Sequence, residues 1–234
     1  MFLRDFINDF NKLKNPAKAK ILARFFKTGP GQYGHGDQFL GIAAPLQRIA
    51  AKKYTGLTLM EIQKLLNSKI HEYRLTALFI LIDKYNKANA NERKKIVDFY
   101  LKNTENINSW DLVDLSAPKI LGDYLVKGEG DIKILYQLAI SKNLWEKRIA
   151  ILSTFTFIRQ NNFAHTLKIA EILLGDQHNL IHKAVGWMLR EVGKRNLRAE
   201  KDFLEKYYKI MPPVMLRYAI EKFSSDERAY FRIL

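Results

Sequence analysis

The sequence predicts an all-α fold, a single curved α-solenoid built from stacked helical hairpins. Apolar residues recur at three- and four-residue steps along almost the whole chain, the period of amphipathic helices. No convincing stretch of strict apolar–polar alternation and no Asn-Gly or Asp-Gly turn indicates a β-hairpin. Helix pairs recur about every 30 to 40 residues, the period of helical solenoids. Such stacks present a long concave binding face.

Local signals support the helices one by one. Thr58–Glu61 and Asn143–Glu146 have the spacing of a reciprocal cap, in which a side-chain oxygen meets the third amide of the helix. Pro16, Pro45 and Pro213 fit first-turn positions. Short connections and the lack of a linker predict one domain over residues 1–234. In order, the predicted helices are 2–14, 16–28, 43–54, 58–67, 69–88, 91–103, 107–126, 131–141, 144–160, 163–174, 179–195, 199–209, 213–223 and 225–233.

The charge balance indicates a polyanionic partner. Among 234 residues, 39 Lys and Arg outnumber 24 Asp and Glu, for a formal net charge of +15. A surplus of this size is typical of proteins that bind nucleic acid, an anionic membrane surface or an acidic protein, although a basic protein without such a partner has the same composition. The cations are spread along the chain, which favours an extended basic surface over a basic tail.

Several function classes are excluded or disfavoured. The absence of cysteine removes disulfides, thiolate nucleophiles and cysteine-ligated zinc. Five histidines are scattered, and His178 precedes the helix that carries His182, so we expect no metal and no cofactor. No nucleophile elbow indicates a Ser/His/Asp triad. A charge pair, Arg4-Asp5, occupies the place of a signal-peptide core, and no apolar run approaches the ~18 residues of a membrane span, so we expect a soluble cytoplasmic protein.

A glycine-rich segment, residues 28–38, interrupts the helical pattern. It lacks the Gly-Lys-Ser/Thr of a phosphate loop and follows no strand, so neither nucleotide motif applies. One interpretation is an ordered connection that needs positive φ at several positions. The other is a loop whose exposed amides and Gln38 approach a ligand, which makes Gln38 a candidate DNA-binding residue. Both interpretations stay open on the sequence.

Each tryptophan in the chain lies beside charged residues. Trp110 and Asp114 are four residues apart and share a helix face, and Trp145 and Arg148, three apart, do the same. For any one of these pairs the structural explanation is favoured, in which the tryptophan lies half in the core and the charge half in solvent.

A stripe of cations surrounds the third tryptophan. Lys183, Trp187, Arg190 and Lys194 follow one another at helical spacing. A core face does not carry three cations, and a large aromatic among cations suits a phosphodiester backbone with a sugar or base to cover. The two glycines of the same segment, 186 and 193, allow another backbone to approach, which is either a packed helix or a nucleic-acid strand.

Five segments, in order, carry a specific resemblance. They are Phe26–Asp37, Asn108–Asp114, Leu144–Ala150, Ile181–Lys194 and Met215–Phe223. Together they resemble the AlkD-type DNA alkylation repair glycosylases over nearly the whole chain. WDLVD and KAVGWMLREVGK, within the second and fourth segments, are long enough to be specific.

The resemblance implies HEAT-like repeats whose concave basic face wraps duplex DNA, and a monomer that excises N3- and N7-alkylated purines without metal, cofactor or base flipping. It implies that Asp114 is the catalytic aspartate, that Trp110 and Trp187 face the sugar, and that Arg148 is the active-site arginine. Lys147 stands where the family often has a second arginine, which weakens any bidentate contact there. The predicted DNA-binding residues are Gln38, Lys183, Arg190 and Lys194. Binding of DNA in the cytoplasm implies association with the nucleoid.

The chemistry accounts for these residue types independently. Alkylation at N3 or N7 makes the purine cationic, so it leaves as a neutral molecule without a general acid. Cleavage of the glycosidic bond then requires only that the positive charge on the deoxyribose be stabilised. A carboxylate and the faces of tryptophan rings supply this stabilisation. Two alternatives stay open: Asp114 neutralises a neighbouring Arg or Lys, or the chain is a non-catalytic module that binds nucleic acid or an acidic protein.

Overall fold

The structure is a computed structural model that describes residues 2–232. Within this range every regular element is helical, and extended pairing is confined to an isolated parallel bridge between Gln38 and Ile70. The predicted all-α fold class, with helices following one another as hairpins, is therefore confirmed. None of these helices combines the length and apolar character that crossing a membrane requires.

The first seven helices are α1 (Leu3–Asn11), α2 (Pro16–Phe25), α3 (Ala44–Lys53), α4 (Leu59–Leu66), α5 (His71–Lys87), α6 (Ala90–Lys102) and α7 (Trp110–Ser116). A π-helical turn, Pro118–Gly122, leads into α8 (Asp123–Val126), α9 (Lys133–Ala139), α10 (Leu144–Ser153), α11 (Phe155–Arg159) and α12 (Ala164–Ile172). The chain continues with α13 (Asn179–Gly193), α14 (Leu197–Tyr207), α15 (Pro213–Ala219), a 3₁₀ turn (Ile220–Lys222) and α16 (Ser225–Arg232). Apart from the ranges 107–126, 144–160 and 213–223, each of which is divided in the structure, the predicted ranges agree with these helices to within a few residues. Position 233 of the last range lies outside the described residues.

The predicted caps are partly confirmed. Thr58 accepts a hydrogen bond from the amide of Glu61 at 3.2 Å, and the Glu61 carboxylate accepts one from the amide of Thr58 at 2.9 Å, so α4 begins with the expected reciprocal cap. The second prediction is wrong in detail. Asn143 caps the amide of Trp145 at 2.9 Å, and Glu146 accepts from the hydroxyl of Ser141.

Two predicted helices are interrupted. The range 107–126 is divided by the π-helical turn, in which the amide of Gly122 donates to Ala117 O at 2.9 Å. Pro118 has no amide hydrogen, so the regular ladder cannot continue through it. The range 144–160 breaks at Thr154, whose hydroxyl donates to Ile151 O at 2.6 Å and lies between α10 and α11.

The chain divides into two compact units, Met1–Leu112 and Val113–Leu234. In the first, α3 and α4 pack against α5, and rings of Phe6, Phe10, Tyr54 and Tyr73 form an aromatic cluster. Whether one domain spans 1–234 with a concave basic face stays a prediction.

In the second unit α13 is the central helix and packs against α10, α14 and α15. A Cβ at Gly186 would lie 2.3 Å from the carbonyl oxygen of Met215 in α15. A Cβ at Gly193 would overlap the carboxylate of Glu200 in α14. Of the two interpretations of these glycines, close packing between helices is therefore the correct one.

Candidate functional site

Helix α7 carries the predicted tryptophan–aspartate pair. Trp110 begins the helix and Asp114 follows four residues later. The boundary between the two units falls after Leu112, so Trp110 belongs to the first unit and Asp114 to the second.

Asp114 is held by Arg148 in a two-bond fork. Arg148 Nε donates to Asp114 Oδ1 and Arg148 Nη2 to Asp114 Oδ2, each at 2.8 Å. Arg148 Nη1 donates to the carbonyl of Leu180 at 2.5 Å. The Arg148 side chain is 5% exposed and that of Asp114 19%. All three guanidinium nitrogens thus donate hydrogen bonds within the protein, and the guanidinium fixes the plane of a carboxylate that still reaches solvent.

Helix α10 places Arg148 there by burying its other faces. Ile149, Ile151 and Leu152 are fully buried, and Trp145 is 8% exposed. Trp145 is therefore part of the core, and only Arg148 of that predicted pair reaches a candidate functional group.

Helix α13 presents the predicted stripe away from its buried face. The core-facing residues of α13 are Ile181, His182, Ala184, Val185, Gly186, Met188, Leu189 and Val192. Trp187 is half-buried, lies 6.0 Å from the ring of Phe155, and donates from Nε1 to Glu191 Oε1 at 3.1 Å. The tryptophan thus has one ring edge anchored and part of its surface in solvent.

Two cations of the stripe are paired with acids. Lys194 Nζ lies 2.6 Å from Glu191 Oε1, and Arg190 forms an ion pair with Glu221 in which the arginine side chain is 15% exposed. Lys183 is exposed, with its ammonium 5.9 Å from the centre of the Tyr218 ring. Glu191 and Glu221 therefore balance two of the three cations, and Lys183 is exposed beside an aromatic ring.

In the first unit, the indole of Trp110 contacts two phenylalanine rings and a tyrosine hydroxyl. It stacks on Phe26 with ring centres 5.4 Å apart and planes 14° apart, and it meets Phe25 edge to face at 6.0 Å. Its Nε1 donates to the hydroxyl of Tyr33 at 3.2 Å. Phe25 is 61% exposed, so Trp110 and Phe25 form an aromatic surface that faces solvent.

The glycine-rich segment is an ordered connection. Gly31 and Gly36 have φ of 72° and 89°, as the first interpretation requires, and a Cβ at Gly34 would lie 2.4 Å from Phe26 O. The backbone of Gln38 pairs with Lys69 and with the start of α5, and its side chain is exposed. Contact between Gln38 and DNA stays a prediction.

A family model for DNA alkylation repair enzymes matches residues 6–223. The chain belongs to this family. The resemblance found in the sequence is therefore confirmed, and DNA is the polyanionic partner that the family implies.

Two solved structures are similar to this alkylation repair enzyme. One is described as a predicted DNA alkylation repair enzyme from Enterococcus faecalis. It is 19% identical with a TM-score of 0.72, and the match covers 91% of this chain and 97% of that chain. The other, described as the crystal structure of smu.31 from Streptococcus mutans UA159, is 18% identical with a TM-score of 0.56 and coverage of 88% and 98%. At such identities the likeness shows the fold alone. Among curated proteins no match is found.

The repair enzyme also contains a buried charge cluster that sequence reasoning missed. His71 lies between the carboxylates of Asp37 and Asp111, and Arg74 binds Asp37 at 2.5 Å. The available signal was a histidine and an arginine three apart at the start of a long, largely apolar helix, but their acidic partners lie far away in the sequence. Between residues 2 and 232, no group of three or more His, Asp or Glu side chains is arranged to hold a metal ion.

Proposed function

We propose that this alkylation repair enzyme is a DNA glycosylase that hydrolyses the N-glycosidic bond of cationic N3- and N7-alkylated purines in duplex DNA, without extruding the base. The single observation that carries the proposal is the Asp114 carboxylate, fixed by Arg148 and 19% exposed, within a family that repairs alkylated DNA.

The role of Asp114 follows from the charge that develops during cleavage. As the bond to the cationic base breaks, the base becomes neutral and the deoxyribose acquires positive charge. A carboxylate that is already oriented stabilises this charge without reorganising. The two bonds from Arg148 fix both Asp114 oxygens, and the 19% exposure of the side chain lets the carboxylate face the sugar or the attacking water.

Arg148 acts on this site by orienting Asp114. Its Nε and Nη2 bind the carboxylate and its Nη1 binds the carbonyl of Leu180, and the side chain is nearly buried. An arginine beside the carboxylate could instead hold the phosphate that flanks the lesion, but that role needs an accessible guanidinium. Orientation of the carboxylate therefore fits Arg148 better than contact with DNA.

Trp110 and Trp187 supply aromatic faces for the sugar, and Gln38, Lys183, Arg190 and Lys194 bind the DNA backbone. Both tryptophans are half-buried, with Nε1 engaged by Tyr33 and by Glu191. The π faces of such rings are negative and favour a developing cation. We expect one monomeric domain that acts on DNA in the cytoplasm, in association with the nucleoid.

The alternative is a non-catalytic helical-repeat module on the same surface. The Asp114–Arg148 pair itself favours this alternative if its only role is to balance the charge of a nearly buried arginine.

One experiment separates the two. The purified chain is incubated in EDTA with a duplex that contains one N7-methylguanine, and abasic sites are detected by alkaline cleavage. We expect strand cleavage at the lesion and none in the undamaged duplex. Binding of the lesion duplex without cleavage would contradict the glycosylase and support the binding module, and cleavage that requires an added divalent ion would contradict the cofactor-free mechanism.

A further inference from the structure

The buried charge cluster of the first unit centres on one imidazole. His71 Nε2 lies 2.8 Å from Asp111 Oδ2, and His71 Nδ1 lies 3.2 Å from Asp37 Oδ2. The His71 side chain is 2% exposed and that of Asp37 8%. Arg74 Nη2 also lies 3.4 Å from His71 Nδ1, but the Asp37 oxygen is the nearer partner, so we assign a proton to each ring nitrogen and treat the imidazole as an imidazolium.

The surrounding charges are balanced. Burial lowers the pKa of His71, but the hydrogen bonds to Asp111 and Asp37 outweigh burial and the nearby Arg74, and the pKa rises to about 9. Arg74 also donates to the carbonyl of Ser68 at 3.1 Å. Two cations and two carboxylates thus form a neutral cluster.

Two aromatic rings link this imidazolium to Trp110. Phe39 and Phe26 each lie 4.8 Å from the His71 ring, and Phe26 stacks on the indole of Trp110. A cation against aromatic faces is favourable, so the imidazolium holds Phe26 and Phe39 against its ring.

The carboxylates link the same imidazolium to both segments that hold the indole. Asp111 is the neighbour of Trp110 in α7. Asp37 belongs to the glycine-rich loop, which also supplies the Tyr33 hydroxyl that accepts from Trp110 Nε1. His71 therefore joins the start of α7 to the loop, and both meet at Trp110.

We propose that His71 is a positioning residue, which sets the orientation of the Trp110 indole by tying the glycine-rich loop to α7 through Asp37 and Asp111. Replacing a buried charge cluster by apolar packing is often neutral or stabilising, and in some proteins such clusters are retained because they specify one arrangement. The inference rests on the proposed function in that Trp110 is taken to face the sugar.

The test uses a Trp145→Phe/Trp187→Phe background, in which Trp110 is the only remaining tryptophan of the chain. His71→Gln keeps a hydrogen-bonding side chain but removes the charge. We expect its Trp110 emission to shift and its quenching by acrylamide to increase. In the chain with all three tryptophans, His71→Gln should slow single-turnover excision of N7-methylguanine on the order of 10²-fold, the usual result of misplacing a catalytic group by about 1 Å.

The matched control is Asp9→Asn. Asp9 binds Lys53 and the hydroxyl of Tyr54, so its substitution disrupts another charged cluster of the same unit. We expect Asp9→Asn to leave Trp110 emission and excision unchanged. If Asp9→Asn changed Trp110 emission and excision as much as His71→Gln does, the cause would be general loosening of the unit, and the inference would be overturned.

Further results of these experiments would also overturn the proposal. Unchanged Trp110 emission in His71→Gln overturns the proposal, as does a changed emission with wild-type excision. If His71→Gln does not fold, Tyr33→Phe, which removes the hydroxyl that accepts from Trp110 Nε1, must reproduce the emission change, or the proposal fails. The fluorescence readout needs no DNA, so absence of glycosylase activity in the wild type would contradict the proposed function without deciding the positioning of Trp110.

Discussion

Arg148 donates a hydrogen bond to each carboxylate oxygen of Asp114, both at 2.8 Å, although the two residues are 34 positions apart in the chain. A third bond from the same guanidinium reaches the backbone of Leu180 at the start of α13. The orientation of the candidate catalytic carboxylate is therefore set by packing of α10 against α13. This relationship determines what substitutions at the site are expected to do.

Arg148→Lys should slow excision about tenfold or more, since a lysine keeps the charge but cannot form the planar fork that orients Asp114. It should also lower the free energy of unfolding by about 2 kcal/mol, the usual contribution of a hydrogen-bonded charged group. Single-turnover kinetics and urea unfolding measure the two effects. Arg159→Lys, at an exposed arginine 4.4 Å from the Phe155 ring, is the control and should change neither. Wild-type excision by Arg148→Lys would show that the fork does not matter for the chemistry.

Lys183→Ala should weaken DNA binding and its dependence on salt. Lys183 is exposed, whereas Arg190 and Lys194 already pair with acids. Loss of one phosphate contact should lower the slope of log K against log salt by about 0.9. Titrations at several salt concentrations measure the slope, and Lys194→Ala should lower it less because Glu191 competes for that ammonium. An unchanged slope in Lys183→Ala would remove Lys183 from the DNA-binding surface.

The free energy of unfolding should fall as the pH rises from 6.5 to about 9. The pKa of His71 rises from its ordinary value of 6.5 to about 9 because the stabilisation by Asp111 and Asp37 exceeds the effect of burial. A raised folded-state pKa stabilises fully below pH 6.5, and the contribution is lost as pH passes through about 9. The part of the change due to His71 should be about 3 kcal/mol, and His71→Gln should remove that part. Urea unfolding from pH 6 to 10 is the measurement, and an equally steep fall in His71→Gln would contradict the charge state assigned to His71.

A second buried group, Glu200, contributes to the lower part of the same profile of unfolding free energy against pH. Burial raises the pKa of Glu200 to about 8, more than the charge of Arg190 lowers it. Its contribution is therefore lost between its ordinary value of 4.5 and about 8, a range that overlaps the His71 window from pH 6.5 to about 8. Glu200→Gln should reduce the fall below pH 8 and leave the fall between about pH 8 and 9, to which His71 alone contributes.

Gly186→Ala should lower the free energy of unfolding by about 1–3 kcal/mol, because the added Cβ meets the backbone of α15 rather than a movable side chain. Gly175→Ala is the matched control. A Cβ there has no atom within 4 Å, so its effect should stay within about 0.5 kcal/mol. Thermal or urea unfolding compares the two, and equal stability of both variants would contradict the close approach of α13 and α15.

Local features were predictable from the sequence, and long-range pairings were not. The Thr58–Glu61 cap is a contact between residues three apart, so its spacing is visible in the sequence. The π-helical turn at Pro118 was not predicted, because apolar periodicity continues through it.

The candidate site was predicted by residue type but not by geometry. The resemblance singled out Asp114 and Arg148, but their fork depends on the packing of α10. The cluster around His71 joins positions 37, 71 and 111, which no local pattern relates. Arg190 was predicted as a DNA-binding cation of the stripe, and its pairing with Glu221 on the 3₁₀ turn after α15 became visible only in three dimensions.

The most direct measurement is single-turnover excision of N7-methylguanine from a duplex by Asp114→Asn, compared with wild type and with Asp123→Asn. Asn is nearly isosteric with Asp, so the fold and DNA binding should persist, and binding should tighten slightly because a negative charge is lost. Excision should fall on the order of 10²–10³-fold, since an amide cannot stabilise positive charge on the sugar, while residual activity remains because the cationic base is a good leaving group. Asp123→Asn removes the same charge from an aspartate paired with Lys127 and should excise at the wild-type rate. Wild-type excision by Asp114→Asn would mean that Asp114 only balances Arg148, and would contradict the proposed mechanism.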